Sequence, residues 1–345
     1  MNDYAMLDYA ATVLVEDYML IRGDEEVLIT TDTSTDMVAV QALMTAVDRR
    51  GARCTVITRR PLPYQGLLAD PFISQVQAES MQHCDAWIDM CFPYFAGSTA
   101  WGRAMARGQL RYLLLGDVSA AGLGRLFGMM DMDKYRLALR AFQETVTNVE
   151  GKVCRITNSH GSDFRFILGD VPDIEHTSQA TKPGFYTVPG ACPIPMKPES
   201  VQGRIVVTAS FHEFYEKLAG PLIMELNGEI QHLTGGGVSR GLLDRALRRA
   251  GGGRYGSVIH LTHGIHPAAR LTGGSFIEDM RTIGSNAVGL GIPWDQPGGG
   301  ENHPDAVLEN QSLWIDDMQV IEEGVVIAPE PLARAVEALV PLRSY

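Results

Sequence analysis

The chain changes texture near residue 150, and that change limits the folds open to it more than any single motif does. Before it, short β-rich runs alternate with helical ones. Residues 27–30, 54–57, 87–90 and 112–115 read as strands. Between the first two, Ser34 or Thr35 can cap a helix whose apolar residues Met37, Val40, Leu43, Met44 and Val47 recur at spacings of three and four, ending at Gly51. Strands that alternate with helices imply a parallel sheet covered on both faces, a Rossmann-like layer. Beyond Gly151 lie most of the 36 glycines, most of the prolines and most of the nine histidines. Runs at 153–156, 165–168, 204–208, 223–226, 257–262 and 312–315 are short and punctuated by Gly, Pro or Asn-Gly, as antiparallel sheet requires, with Asn227-Gly228 the clearest hairpin turn. The expected fold class is therefore α/β: an N-terminal Rossmann-like α/β domain over 1–148, then a β-rich α+β domain over 149–345. The boundary falls between the helix carrying Leu137, Leu139 and Phe142 and the strand opening at Val153. At 345 residues the chain is long enough for two cores.

Charge narrows the partners. The chain has 29 basic against 41 acidic residues, net -12, and no basic cluster longer than Arg-Arg, which argues against a phosphate-neutralising surface and hence against nucleic acid. Five scattered cysteines without a Cys-x-x-Cys pair fit neither a disulfide framework nor a thiolate zinc site. An acidic N-terminus and the lack of any run of about 18 apolar residues lead us to expect a cytoplasmic protein with no membrane partner.

The second half holds the chemistry. His260, then His303 and Asp305 in Asn-His-Pro-Asp, supply two imidazoles and a carboxylate, a ligand set for one divalent metal with positions left open. His-x-Asp on a strand sends both side chains to one face, so two ligands arrive together. Alternation over 257–262 sets Val258, His260 and Thr262 on one face of a strand. His263 and His266, just beyond it, are candidates for acid or base. The plainer reading of any one of these histidines is a hydrogen bond to backbone, and of the His303 segment a polar loop. An N/O ligand set suits iron(II), manganese or zinc and does not separate an oxygenase from a hydrolase.

Two other motifs count for less. Gly237-Val-Ser239-Arg-Gly241 matches a nucleophile elbow, but Thr-Gly-Gly-Gly before it breaks the strand an elbow needs, and Ser239 is better explained as a helix N-cap. Gly122-Leu-Gly124-Arg-Leu-Phe-Gly128 is a dinucleotide fingerprint with the wrong last spacing and reads as helix packing. Phe92, Tyr94 and Phe95 could wall a substrate or belong to the core.

The segments around His260-Leu-Thr-His-Gly-Ile-His-Pro, Asn-His303-Pro-Asp305, Gly161-Ser-Asp-Phe164 and Trp314-Ile-Asp-Asp resemble the 2,5-dihydroxypyridine 5,6-dioxygenases, iron(II) ring-cleaving relatives of aminopeptidase T-type metallopeptidases. The likeness is good over 151–330 and looser before it. Set against the peptidases' two-metal site, Ala191 stands where one glutamate would be, His260 where the second would be, and Asn286 where a histidine would be. The resemblance thus implies one Fe(II) held by His260, His303 and Asp305, with O2 and a small aromatic substrate as partners. It further implies Arg281 and Asn286 as substrate-orienting residues, His263 or His266 as the acid/base, and a homo-oligomer. The alternative expectation is a metal-dependent, aminopeptidase-like hydrolase.

Overall fold

The protein is described by a computed structural model over residues 3–147, 149–170, 178–211, 215–293, 296–299 and 303–342. Two compact units emerge: Met1–Met130 with Glu175–Pro189 and Pro341–Tyr345, and Asp131–Ile174 with Gly190–Val340.

In the first unit, β1 (Glu26–Asp32), β2 (Arg53–Arg59), β3 (Ala86–Met90) and β4 (Arg111–Leu114) pair in parallel, and β7 (Gly184–Thr187) joins the outer side of β4. The order is β2-β1-β3-β4-β7. Strands β3 and β4 are buried throughout, which is why they read as unbroken apolar runs. The helices are α1 (Asp3–Thr12), α2 (Met37–Arg49), α3 (Gln75–Ser80), α4 (Thr99–Ala106) and α5 (Ala120–Gly128). The apolar stripe of α2 buries Val40, Leu43 and Val47 as its spacing predicts, but its cap is Asp36, whose side chain accepts from Val38 N. Ser34 and Thr35 are otherwise engaged: Ser34 Oγ donates to Asp32, and Thr35 Oγ1 donates to the Met90 carbonyl. The Gly122–Gly128 motif lies inside α5, against α1. A Cβ at Gly128 would stand 3.2 Å from the Ala10 Cβ and one at Gly124 3.5 Å from the Met6 Cγ, so these glycines serve close helix packing. Phe95 is core, packed against Trp87.

The second unit opens with α6 (Met132–Val146), followed by β5 (Val153–Thr157), β6 (Asp163–Ile167), β8 (Ala191–Ile194), β9 (Gln202–Phe211), β10 (Tyr215–Asn227) and β11 (Glu229–Gly235). Then come α7 (Ser239–Ala250), β12 (Ser257–Gly264), α8 (Phe276–Asp279), β13 (Asn286–Gly291), β14 (Asp305–Leu308), β15 (Ser312–Ile315), β16 (Met318–Glu322), β17 (Val325–Val326) and α9 (Glu330–Glu337). Its strands form one antiparallel sheet in the order β17-β16-β15-β5-β6-β9-β14-β13-β12-β8, with the β10–β11 hairpin attached to β9. The hairpin turns at Gly228, whose φ of 72° suits glycine. Helix α6, which the sequence reading places before the boundary at 148, groups with this unit because its buried face, including Ala138, Leu139 and Phe142, packs with β8 and α9. Conversely β7, beyond that boundary, completes the first unit's sheet. Ser239 is the first helical residue of α7 and not its cap: Val238 holds that position and no side chain caps the helix. Among the described residues no helix is long and apolar enough to cross a membrane.

Candidate metal centre

Three central strands of the second unit build the site. His260 on β12 stands in register with Gly289 on β13, and Gly289 in turn with Asp305 on β14. Residues in register across a sheet share a face, so His260, Gly289 and Asp305 lie on one side of it. A bulge between Val258 and His260 resets the alternation predicted for 257–262, and from His260 onward the phase is regular. His303 arrives from the segment leading into β14, held where the Pro304 carbonyl accepts from Leu290 N.

The donor atoms converge. His260 Nε2 lies 3.3 Å from His303 Nε2 and 3.1 Å from Asp305 Oδ1, while His303 Nε2 is 3.6 Å from Asp305 Oδ2. All three potential ligand atoms fall within 4.8 Å of one another, and among the described residues no other His/Cys/Asp/Glu group does so. Ligands about 2.1 Å from one metal and at right angles stand roughly 3 Å apart, so the spacing fits a facial triad. Among the described residues none donates a hydrogen bond to the buried Asp305 Oδ1, not even His260 Nε2 beside it. An orphaned carboxylate oxygen beside a ring nitrogen that does not donate to it is costly unless a cation satisfies both. The Asp305 side chain is 3 % exposed and that of His303 10 %, whereas His260 keeps 30 %, so the cluster is reached from the His260 side.

Two of the other predicted site residues, His263 and Asn286, lie on the opposite face of the sheet. His263 is on the opposite face of β12 from His260, fully buried, with its ring stacked on Phe142 of α6. Its Nδ1 is 2.6 Å from Gln311 Nε2, its Nε2 has no partner among the described residues, and burial pushes its imidazole down to about 4. Asn286 shares that face of the sheet with Val288 and donates Nδ2 to Gln311 Oε1. His266 Nδ1 accepts from Ala268 N and Ala269 N, both at 3.1 Å, and its ring fills the space that a side chain on Gly190 would need. Arg281 is buried and donates Nη1 to the Ile277 carbonyl at 2.5 Å. The structure brings together the three expected ligands; it sets His263 and Asn286 into a buried polar chain behind them and uses His266 to fix a turn. The first two therefore do not face the cluster as acid/base and substrate contact.

Sequence reasoning missed Gly289 and Gln311. An isolated glycine within the strand pattern Asn286-Ala-Val-Gly-Leu-Gly was a usable signal, because such a glycine marks a close approach. Gln311 carried no signal.

The family model for NicX, 2,5-dihydroxypyridine 5,6-dioxygenase, matches residues 16–328. Among solved structures, 2,5-dihydroxypyridine dioxygenase from Pseudomonas putida KT2440 is similar with a TM-score of 0.71 at 18 % identity, covering 96 % of this chain and 99 % of that one. AmpT from Thermus thermophilus is similar with a TM-score of 0.64 at 11 % identity, over 94 % and 99 %. At such identities the structures establish the shared fold alone. No curated protein sequence gives a significant match. The family match spans most of the chain, the three-strand cluster included, and on it the chain belongs to the 2,5-dihydroxypyridine 5,6-dioxygenase family.

Proposed function

We propose that this ring-cleaving dioxygenase is a mononuclear non-haem Fe(II) enzyme of extradiol-like type, acting on a dihydroxylated pyridine. The simplest reaction is 2,5-dihydroxypyridine plus O2 to N-formylmaleamate: one ring carbon–carbon bond breaks and both oxygen atoms enter the product. The convergence of His260 Nε2, His303 Nε2 and Asp305 on one point carries this reading. Bound there, iron(II) supplies the redox chemistry that lets dioxygen react with the ring.

The residues of the chain do the rest. His260 and His303 offer neutral ring nitrogens, and Asp305 offers the single negative charge of the set. Three protein ligands leave up to three positions, enough to hold a dihydroxylated ring beside O2. The partial exposure of His260 supports entry of the ring from that side. In this reading His263 and Asn286 hold the sheet behind the ligands and His266 holds a turn, while Arg281 remains the substrate-orienting residue that the resemblance implies. A homo-oligomer, which the resemblance implies, in the cytoplasm, which the sequence features lead us to expect, completes the proposal.

Oxygen uptake tests it. Protein purified without air and loaded with Fe(II) should consume O2 with 2,5-dihydroxypyridine. No uptake with any dihydroxypyridine or hydroquinone analogue sinks the reading, and turnover of peptides without O2 would replace it with the hydrolase.

A further inference from the structure

We propose that Gly289 is a positioning residue for the metal centre: its missing side chain is the slot through which the His260 imidazole crosses β13 to reach Asp305. This rests on the reading of His260, His303 and Asp305 as one metal site. Adjacent strands lie about 4.8 Å apart, so β12 and β14, with β13 between them, are separated by roughly 10 Å. Ligands on those two outer strands can share a metal only if one side chain leans across the middle strand. His260 does so directly over its register partner, Gly289.

The space is exclusive. A Cβ built on Gly289 would stand 2.1 Å from both Nε2 and Cδ2 of His260, and 2.8 Å from Cε1. Non-bonded carbon contacts settle at about 3.5–4 Å, so alanine and the present ring position cannot coexist. One of the two atoms met at 2.1 Å is the donor nitrogen itself. Backbone conformation is not the reason for the glycine, because Gly289 lacks the left-handed φ that marks Gly190 or Gly284. Its backbone is ordinary β-strand, buried and paired on both sides, which alanine adopts without strain. Glycine in a strand interior costs stability relative to alanine, so its use here points to a requirement other than folding. Moving the His260 ring by more than 1 Å takes Nε2 outside the few tenths of an ångström that a metal–ligand bond tolerates.

Four proteins test this: wild type, Gly289→Ala, His260→Ala and the double variant, each prepared metal-free. Fe(II) binding is measured anaerobically by equilibrium dialysis and apo-protein stability by calorimetry. Wild type should bind one equivalent, and failure there would remove the metal site itself, separately from the role of Gly289. Gly289→Ala should bind Fe(II) at least tenfold more weakly; a smaller loss overturns the proposal. In the His260→Ala background, where no ring fills the slot, Gly289→Ala should leave the melting temperature unchanged or raise it. An equal fall in both backgrounds would show a backbone requirement and overturn the proposal. If Gly289→Ala alone does not fold, recovery of folding in the double variant supports the slot, and failure of the double variant overturns it.

Discussion

His260 Nε2 stands 3.1 Å from Asp305 Oδ1 although a complete strand, β13, runs between their backbones. Among the described residues nothing donates a hydrogen bond to that buried carboxylate oxygen, so the metal-free protein holds an unsatisfied charge that a cation would neutralise. Asp305→Asn should therefore leave the apo protein as stable as wild type or more so, yet abolish the metal's stabilising effect. At a hundredfold excess over Kd a bound metal adds about 2.7 kcal/mol, or roughly 5 °C in a domain of this size. Calorimetry with and without Fe(II) should show that rise in wild type only, with His260→Ala and His303→Ala also unresponsive. A normal rise in any variant removes that residue from the ligand set.

The buried His263 gives stability a pH dependence of definite sign. Burial lowers its folded pKa from 6.5 to about 4, so between those values the unfolded chain binds a proton that the folded one refuses. The contribution is therefore fully present above about pH 6.5 and is lost as pH falls toward 4. From pH 7 to pH 5 the loss should be about 2 kcal/mol, from the shift of roughly 2.5 units. His263→Gln lacks this group and should show a correspondingly shallower decline in metal-free denaturation. Parallel declines would show that the imidazole stays protonatable in the fold.

For His266, an acid/base role and a structural one make opposite forecasts. Its Nδ1 accepts two backbone N–H groups, from Ala268 and Ala269, in a residue with no exposed surface. Removing the ring leaves the buried Ala268 donor and the partly exposed Ala269 donor without this acceptor, so His266→Ala should cost about 2–4 kcal/mol in stability while Fe(II) stoichiometry stays at one. His266→Asn places an oxygen close to the lost Nδ1 and should recover part of the cost. A variant as stable as wild type but slow in turnover would return His266 to the chemistry.

Periodicity carries the parts of this fold that depend on a local stretch of chain, and fails where a distant residue decides. The stripe of α2 was legible because Val40, Leu43 and Val47 face one core. Its cap was not, because Ser34, Thr35 and Asp36 all suit the role, and the choice depends on Thr35 being drawn to the Met90 carbonyl. The same limit moved α6: its amphipathic pattern was clear, but nothing in it names β8 and α9 as the partners of Phe142 and Leu139. His303 and Asp305 announce themselves by spacing, and His260 by its company. That His263 turns away from them follows from β12 running on to Gly264, past the end at 262 that the sequence suggests, so alternation sets it on the opposite face from His260; its partners there, Phe142 and Gln311, are connected to it by no local pattern.

In the first unit, Asp89 should prove the least replaceable carboxylate. It is fully buried at the end of β3, where Oδ1 accepts from Thr30 Oγ1 at 2.8 Å and Cys91 N at 3.1 Å, and Oδ2 from Phe95 N and Tyr112 Oη at 2.8 and 2.7 Å. Each oxygen thus meets one backbone N–H, which cannot reverse its role, and one hydroxyl, which can. In Asp89→Asn, whichever way the amide turns, its NH2 group faces a backbone donor. The cost should be about 2–4 kcal/mol, because a buried donor pair is left unsatisfied. Tyr112→Phe removes a single donor while three remain, and should cost about 1 kcal/mol beyond any packing change. Urea denaturation of the three proteins at pH 7 measures both. Equal losses in the two variants would mean that Asp89 needs only the tyrosine, and that the backbone donors of Cys91 and Phe95 can turn to other acceptors.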